Sequence, residues 1–201
     1  MSLHQLLIAT RNQGKLQELR DLLKERPFDL CDLSSFPAIQ TVAETGSTFA
    51  ENAELKAAGY AEQSGVMTIA DDSGLEVQAL GGRPGVLSAR YAGAGASDSE
   101  RVDKLLGELS AVPASNRGAQ FVSAVAIANG EGEILKVSIG VCVGRIADAP
   151  HGANGFGYDP VFIPAGFDET FAELPSNVKN QISHRAQALK GAAVFLRSLT
   201  L

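Results

Sequence analysis

Several stretches of this sequence pair side chains that bind charge with residues that let a backbone come close. Thr10-Arg11-Asn12-Gln13-Gly14-Lys15 follows the apolar run Leu6 to Ala9 and leads into Leu16, Leu19, Leu22 and Leu23 at helical spacing. Backbone N–H groups at a helix start, with the helix dipole behind them and Lys15 beside them, bind phosphate oxygens. The segment matches neither G-x-x-x-x-G-K-[ST] nor G-x-G-x-x-G. Alone, it reads first as a capped helix with a solvated lysine. Asp71-Asp72-Ser73-Gly74 is an acidic pair directly after the compact apolar run Val66 to Ala70. Carboxylates at the end of a buried strand line the crevice where α/β proteins hold ligands, and Mg²⁺ selects such hard oxygen donors. Neighbouring carboxylates repel, so a cation or strong hydrogen bonds must accompany them. The same four residues also suit an Asx-type turn closed by Gly74.

Glu44 is a third carboxylate, placed just before a helix that carries Lys56. If that helix packs on the sheet, Glu44 and Asp72 approach one ion while Lys56 faces the same anion; by itself Glu44 is a solvated loop acid. Gly155-Phe156-Gly157-Tyr158-Asp159-Pro160 sets an aromatic ring between two glycines. Such a ring stacks on a heterocycle while the nearby carboxylate accepts its N–H groups, or else tucks inward in a tight turn. Lys179 and Ser183-His184-Arg185 gather three donors before an amphipathic helix, and Ser183 also suits the cap of that helix.

The elements that must position these residues alternate between helix and strand. Leu6 to Ala9 predicts a buried strand and not a signal peptide, since no cationic stretch precedes it. A helix follows the Thr10 to Gly14 loop, then a strand over Phe28 to Leu33. A second helix over Ser47 to Ser64 ends at Gly65. Val66 to Ala70 predicts a strand that empties into the acidic turn, with alternation resuming from Leu75 to Leu80. Gly81 to Gly95 predicts an ordered loop and Asp98 to Leu109 a short helix. Two long strands, Ala119 to Ala128 and Ile134 to Ile146, form a hairpin through Asn129-Gly130-Glu131-Gly132, whose Asn-Gly start favours positive φ. Pro160 to Ile163 predicts a short strand and Ala186 to Leu199 the last helix. Early alternation with a late hairpin gives an α/β fold with a mixed sheet, and nothing separates the 201 residues into linked domains.

Composition narrows the function classes. Seventeen Lys and Arg against 23 Asp and Glu leave a net charge of −6, which argues against broad nucleic-acid binding. No run approaches the roughly 18 apolar residues of a membrane span. Cys31 and Cys142 lack paired spacing, as expected of reduced thiols in the cytoplasm. The three His residues, at 4, 151 and 184, are not spaced for zinc.

In this order the segments resemble the inosine triphosphate pyrophosphatase family, which hydrolyses non-standard purine nucleoside triphosphates such as XTP and dITP. The resemblance runs through Ala9-Thr10 to Lys15, Glu44-Thr45-Gly46 to Glu51-Asn52-Ala53, Ala70 to Gly74, Gly81 to Gly93 with Ser88-Ala89-Arg90-Tyr91-Ala92-Gly93, Gly155 to Phe162, and Ile182 to Leu189. It implies that Thr10, Arg11, Asn12, Gln13, Gly14 and Lys15 hold the triphosphate, with Lys56 on a phosphate. It gives Glu44 and Asp72 to Mg²⁺, makes Asp72 the proton acceptor as well, and sets Ser73 against substrate. Phe156, Gly157, Tyr158, Asp159, Lys179, His184 and Arg185 become the nucleobase and sugar site. Arg11, Leu87 and Asn177-Val178 depart from the family pattern, and of these Arg11 bears on phosphate affinity. The implied fold is an elongated mixed sheet between two lobes with the cleft between them, in a homodimer. The implied reaction is attack of water on the α-phosphorus with release of pyrophosphate. Hydrolysis of modified pyrimidine nucleotides, as in the septum-formation-inhibitor family, and a nucleotide-binding module without turnover are the competing readings.

Overall fold

An apolar run without alternation belongs inside a sheet, where both faces are covered. In the computed structural model, which describes residues 4–24 and 28–199, β1 (His4–Ile8) lies between β2 (Phe28–Asp32) and β3 (Thr68–Val77), parallel to both. The sheet continues through β4 (Gly118–Ala128), β5 (Ile134–Ile146) and β6 (Phe162–Pro164), in the order β2-β1-β3-β4-β5-β6. β6 is antiparallel to β5, so the sheet is mixed, as the sequence predicts.

The chain divides into two compact units, residues 1–72, 123–140 and 185–201 in one and residues 73–122 and 141–184 in the other. In the first, α1 (Gln13–Leu23) lays Leu16, Leu19 and Leu23 into a core shared with Leu6 and Ile8 of β1. The same core takes Ala188, Leu189, Ala192 and Leu196 of α5 (His184–Ser198). Small residues let α5 lie close, for a Cβ at Gly191 would meet Ser138 Oγ at 2.8 Å. α2 (Phe49–Ser64) starts in a capping box of Thr48 and Glu51 and stops at Gly65, whose φ of 68° only glycine adopts freely. In the second unit, α3 (Asp98–Glu108) packs Val102 and Leu105 against Leu75, Phe121, Phe162 and Phe171. A short helix, α4 (Ser176–Ile182), precedes α5 and has no counterpart in the sequence reading.

Three other expectations change. Asp71 to Gly74 is not a turn at the end of a strand, because β3 runs unbroken from Thr68 to Val77. Pairing with β1 stops at Ile8 opposite Ile69, so the acidic pair sits just past the end of its parallel neighbour. In the β4–β5 loop the positive φ falls on Gly132, at 86°, and not on Asn129 or Gly130. Gly130 is small for another reason, since a Cβ there would stand 2.6 Å from the Gly65 carbonyl oxygen. The last short strand begins at Phe162 because Asp159–Val161 forms a tight 3-10 turn.

Candidate functional site

Alternation along β3 separates the two aspartates, since successive side chains of a strand point to opposite faces. Asp71, 1% exposed, accepts from Lys15 Nζ at 2.8 Å, from Arg185 at 3.4 Å and from Ser123 Oγ. Arg185, 2% exposed, also pairs with Glu18 of α1. Burial pushes the Asp71 carboxyl up, but Arg185 and Lys15 beside it and its hydrogen bonds outweigh that and hold it well below the ordinary carboxylate range. Burial pulls Lys15 down, and the attraction of Asp71 only partly restores it. For Arg185 burial also pulls down, yet Asp71 and Glu18 together raise it.

Asp72 faces α2. The buried stripe of that helix includes Asn52, Ala53, Lys56, Ala57 and Tyr60, and Lys56 lies in it as the one cation. Its Nζ donates to Asp72 Oδ1 at 3.1 Å and lies 3.4 Å from Glu44 Oε1. Asp72 Oδ2 is buried without a hydrogen-bond partner. The loop that brings Glu44 here is fastened where Gly46 N donates to Asn52 Oδ1 at 2.8 Å. Thr10 to Gly14 folds on its own side chains: Asn12 N donates to Thr10 Oγ1, and Asn12 Oδ1 caps α1 by accepting from Lys15 N at 3.0 Å. Arg11, Asn12 and Gln13 are exposed and Gly14 is half-buried. The cap is therefore real, while Lys15 is an ion-paired side chain and not a solvated one.

In the second unit Lys179 Nζ pairs with Asp159 Oδ2 at 2.5 Å and lies 5.0 Å from the centre of the Phe156 ring. Asp159 Oδ2 also accepts from Phe156 N at 2.9 Å. Gly155 is needed for this, because a Cβ on it would fall 2.0 Å from that oxygen. Tyr158 is buried with its hydroxyl donating to the Ser88 carbonyl oxygen at 3.0 Å. His184, buried, stacks on Phe121 with the rings 4.6 Å apart and 10° from parallel. Ser73 is half-buried on β3.

Lys15, Glu44, Lys56 and Asp72 thus fall in the first unit, and Phe156, Gly157, Tyr158, Asp159, Lys179 and His184 in the second. Arg185, which the resemblance groups with the nucleobase residues, is bonded to Asp71 and Glu18 within the first unit. Sequence reasoning missed Glu18 and Ser123 and gave Asn52, within its motif, no role. Glu18 carried a signal, since it follows Lys15 by three residues on one helix face. Ser123, in an otherwise apolar strand, carried none.

A six-segment order of motifs with this geometry is distinctive, and comparison with known proteins decides the family. The sequence model of the Ham1 family matches residues 6–195. The chain belongs to the Ham1 family. It is 51% identical over 185 residues to the dITP/XTP pyrophosphatase of Geobacillus kaustophilus, covering 92% of this chain and 90% of that one. It is 45% identical over 190 residues to the dITP/XTP pyrophosphatase of Bacillus cereus, covering 94% and 93%. Among solved structures, the Ham1 protein of Coxiella burnetii superposes with a TM-score of 0.88 at 41% identity, over 98% of this chain and all, 100%, of that one. The Staphylococcus aureus Ham1 protein gives 0.84 at 42%, over 96% and 98%. Among the described residues of this Ham1-family chain no helix is long and apolar enough to cross a membrane.

Proposed function

We propose that this protein hydrolyses non-standard purine nucleoside triphosphates, ITP, dITP and XTP, to the monophosphate and pyrophosphate, the whole chain acting as one pyrophosphohydrolase domain. The observation that carries the reading is Lys56 Nζ held between Asp72 and Glu44 while the second oxygen of Asp72 is buried and unpartnered. That arrangement offers a cation for a phosphate, a carboxylate pair for a divalent ion, and one oxygen free to take a proton.

Mg²⁺ fits these residues. It is characteristically bound through one or two carboxylates with waters and substrate phosphates completing its shell. Glu44 and Asp72 supply that pair, and no group of three His, Cys, Asp or Glu is gathered among the described residues. When bound, the ion supplies charge neutralisation along the phosphate chain. Lys15 and Lys56 offset the remaining charge, which otherwise repels an anionic nucleophile. The Thr10 to Gly14 loop brings the N-terminus of α1 to the phosphates, and Asp71 with Arg185 keeps Lys15 in place. Asp72 takes a proton from water as the water oxygen bonds to the α-phosphorus; the bond from that phosphorus to the bridging oxygen breaks, and pyrophosphate leaves with the electron pair. Ser73, next along the strand, is the residue assigned to touch substrate.

The Phe156 ring offers a stacking face, with Gly157, Tyr158 and Asp159 shaping its loop. Lys179 and His184 are donors suited to the oxo group at position 6 of hypoxanthine or xanthine, where adenine presents an amino group. A site built on hydrogen bonds can reject the mismatched base by about 10⁴-fold. The free thiols of Cys31 and Cys142 support a cytoplasmic location, and the family resemblance supports a homodimer. Hydrolysis of ITP in ¹⁸O-labelled water tests the chemistry. Label in the monophosphate supports attack at the α-phosphorus; label in pyrophosphate, or release of orthophosphate, contradicts it.

A further inference from the structure

The loop that carries Phe156 is held from outside itself by a residue of a separate helix. Gly157 N donates to Asp98 Oδ2 at 2.6 Å, across 59 residues of sequence. Asp98 is the first residue of α3, and its other carboxylate oxygen pairs with Arg101 one turn later. The Arg101 guanidinium in turn donates to the carbonyl oxygens of Ala89, at 3.0 Å, and Ala96, at 2.5 Å. Asp98 is therefore held by an arginine that is itself bonded to two backbone carbonyls. The adjacent Phe156 N–H is taken by Asp159 Oδ2, so two carboxylates grip the two N–H groups that flank the Phe156 side chain. Asp159 grips from within the loop and Asp98 from a helix. Gly157 has a φ of +62°, and its N–H is held by the Asp98 carboxylate.

We infer that Asp98 is a positioning residue for nucleobase recognition: through the Gly157 N–H it sets the orientation of the Phe156 ring beside Lys179, without touching the phosphates or the reacting atoms. This deepens the proposed function and rests on Phe156 being the stacking face. Removing a negative charge would by Coulomb attraction alone tighten every anionic ligand, whereas loss of positioning weakens only those with a base. The two effects have opposite sign.

The test uses the intact protein with Asp98→Ala and Asp98→Asn. The Ser97–Glu100 capping box holds the start of α3 independently of Asp98, so both variants keep the helix. In Asp98→Ala the Gly157 amide exchanges faster, and KM for ITP and the Kd of inosine monophosphate rise by roughly 3- to 10-fold, the scale of one hydrogen bond to a charged group in a half-exposed setting. kcat stays within about twofold and pyrophosphate binding does not weaken, since neither depends on the base. Asp98→Asn, whose amide oxygen still accepts from Gly157, recovers most of the loss. Equal weakening of inosine monophosphate and pyrophosphate, or an Asp98→Ala protein that binds both as the wild type does, overturns the assignment alone. A wild type that binds neither ITP nor inosine monophosphate overturns the functional reading, and this inference with it.

Discussion

Asp72 has two oxygens in different circumstances, one bonded to Lys56 and the other buried without a partner. Asp72→Asn keeps the shape and removes the charge and the proton acceptor. We expect a folded protein whose kcat falls by about 10²-fold or more, checked by steady-state rates beside a thermal melt. Wild-type turnover by that variant removes Asp72 from the chemistry. Glu44, more exposed, pairs with Lys56 and is assigned to the ion, so Glu44→Gln should raise the Mg²⁺ needed for half-maximal rate with less effect at saturation; an unshifted titration counts against it. Phe156→Ala should lose about 1–3 kcal/mol of nucleotide affinity, the scale of base stacking on an aromatic residue. Calorimetry that finds unchanged affinity leaves Phe156 as a packed ring. At this scale the sequence disclosed residue types well and partners poorly. Lys15, Lys56 and Asp72 are recognisable from their motifs. That Lys15 serves Asp71 and Lys56 serves Asp72 depends on strand alternation through a segment whose composition mimics a turn.

Glu44 reaches its position because the loop before α2 is clamped onto that helix. A Cβ at Gly46 would meet Glu51 Cβ at 2.6 Å and Asn52 Oδ1 at 2.8 Å, where Gly46 N now donates. Gly46→Ala should therefore displace the loop, costing roughly 1–3 kcal/mol of stability and raising the Mg²⁺ requirement in the same direction as Glu44→Gln. Denaturation and a Mg²⁺ titration on the same sample check both, and a destabilised protein with an unchanged titration separates the clamp from the ion. α2 starts at Phe49 and not Ser47, set by the Thr48–Glu51 capping box, whereas its C-terminal end was readable, because a terminal glycine is a local signal. The course of β3 was not. Four consecutive polar or small residues satisfy the rule for a turn, yet they remain in a strand, where Lys15, Lys56, Arg185 and Ser123 arrive from distant segments to pair with their carboxylates. α4 escaped notice for a related reason, being only 7 residues long with no side-chain cap.

An acidic chain that handles polyanions must concentrate its cations, and this one does so around two buried carboxylates. Breaking such a pair leaves uncompensated charge, so Asp71→Asn should cost roughly 3–5 kcal/mol near pH 7. Because Asp71 is held below its ordinary range, its contribution is fully present above the unfolded value near 4 and is lost as pH falls through the lower folded value. Urea unfolding of wild type and variant should therefore differ most near neutrality and converge in acid; a constant gap across that window contradicts the assignment. The mixed α/β sheet was legible from early alternation and a late hairpin, whereas the membership of the two units was not, since each gathers segments from separate parts of the chain. Membership of the Ham1 family, with relatives named dITP/XTP pyrophosphatases, favours the purine reading over the pyrimidine one that motifs alone left open. Taken as a whole, the molecule is proposed to be a purine-selective, pyrophosphate-releasing hydrolase. Its most direct test supplies purified protein and Mg²⁺ with ITP, dITP, XTP, ATP, GTP and a pyrimidine triphosphate in parallel, and separates the products by chromatography. Monophosphate and pyrophosphate should appear in equal amounts from ITP, dITP and XTP, with ATP far slower; equal rates on all six nucleotides, or no pyrophosphate from ITP, would rule out such an enzyme.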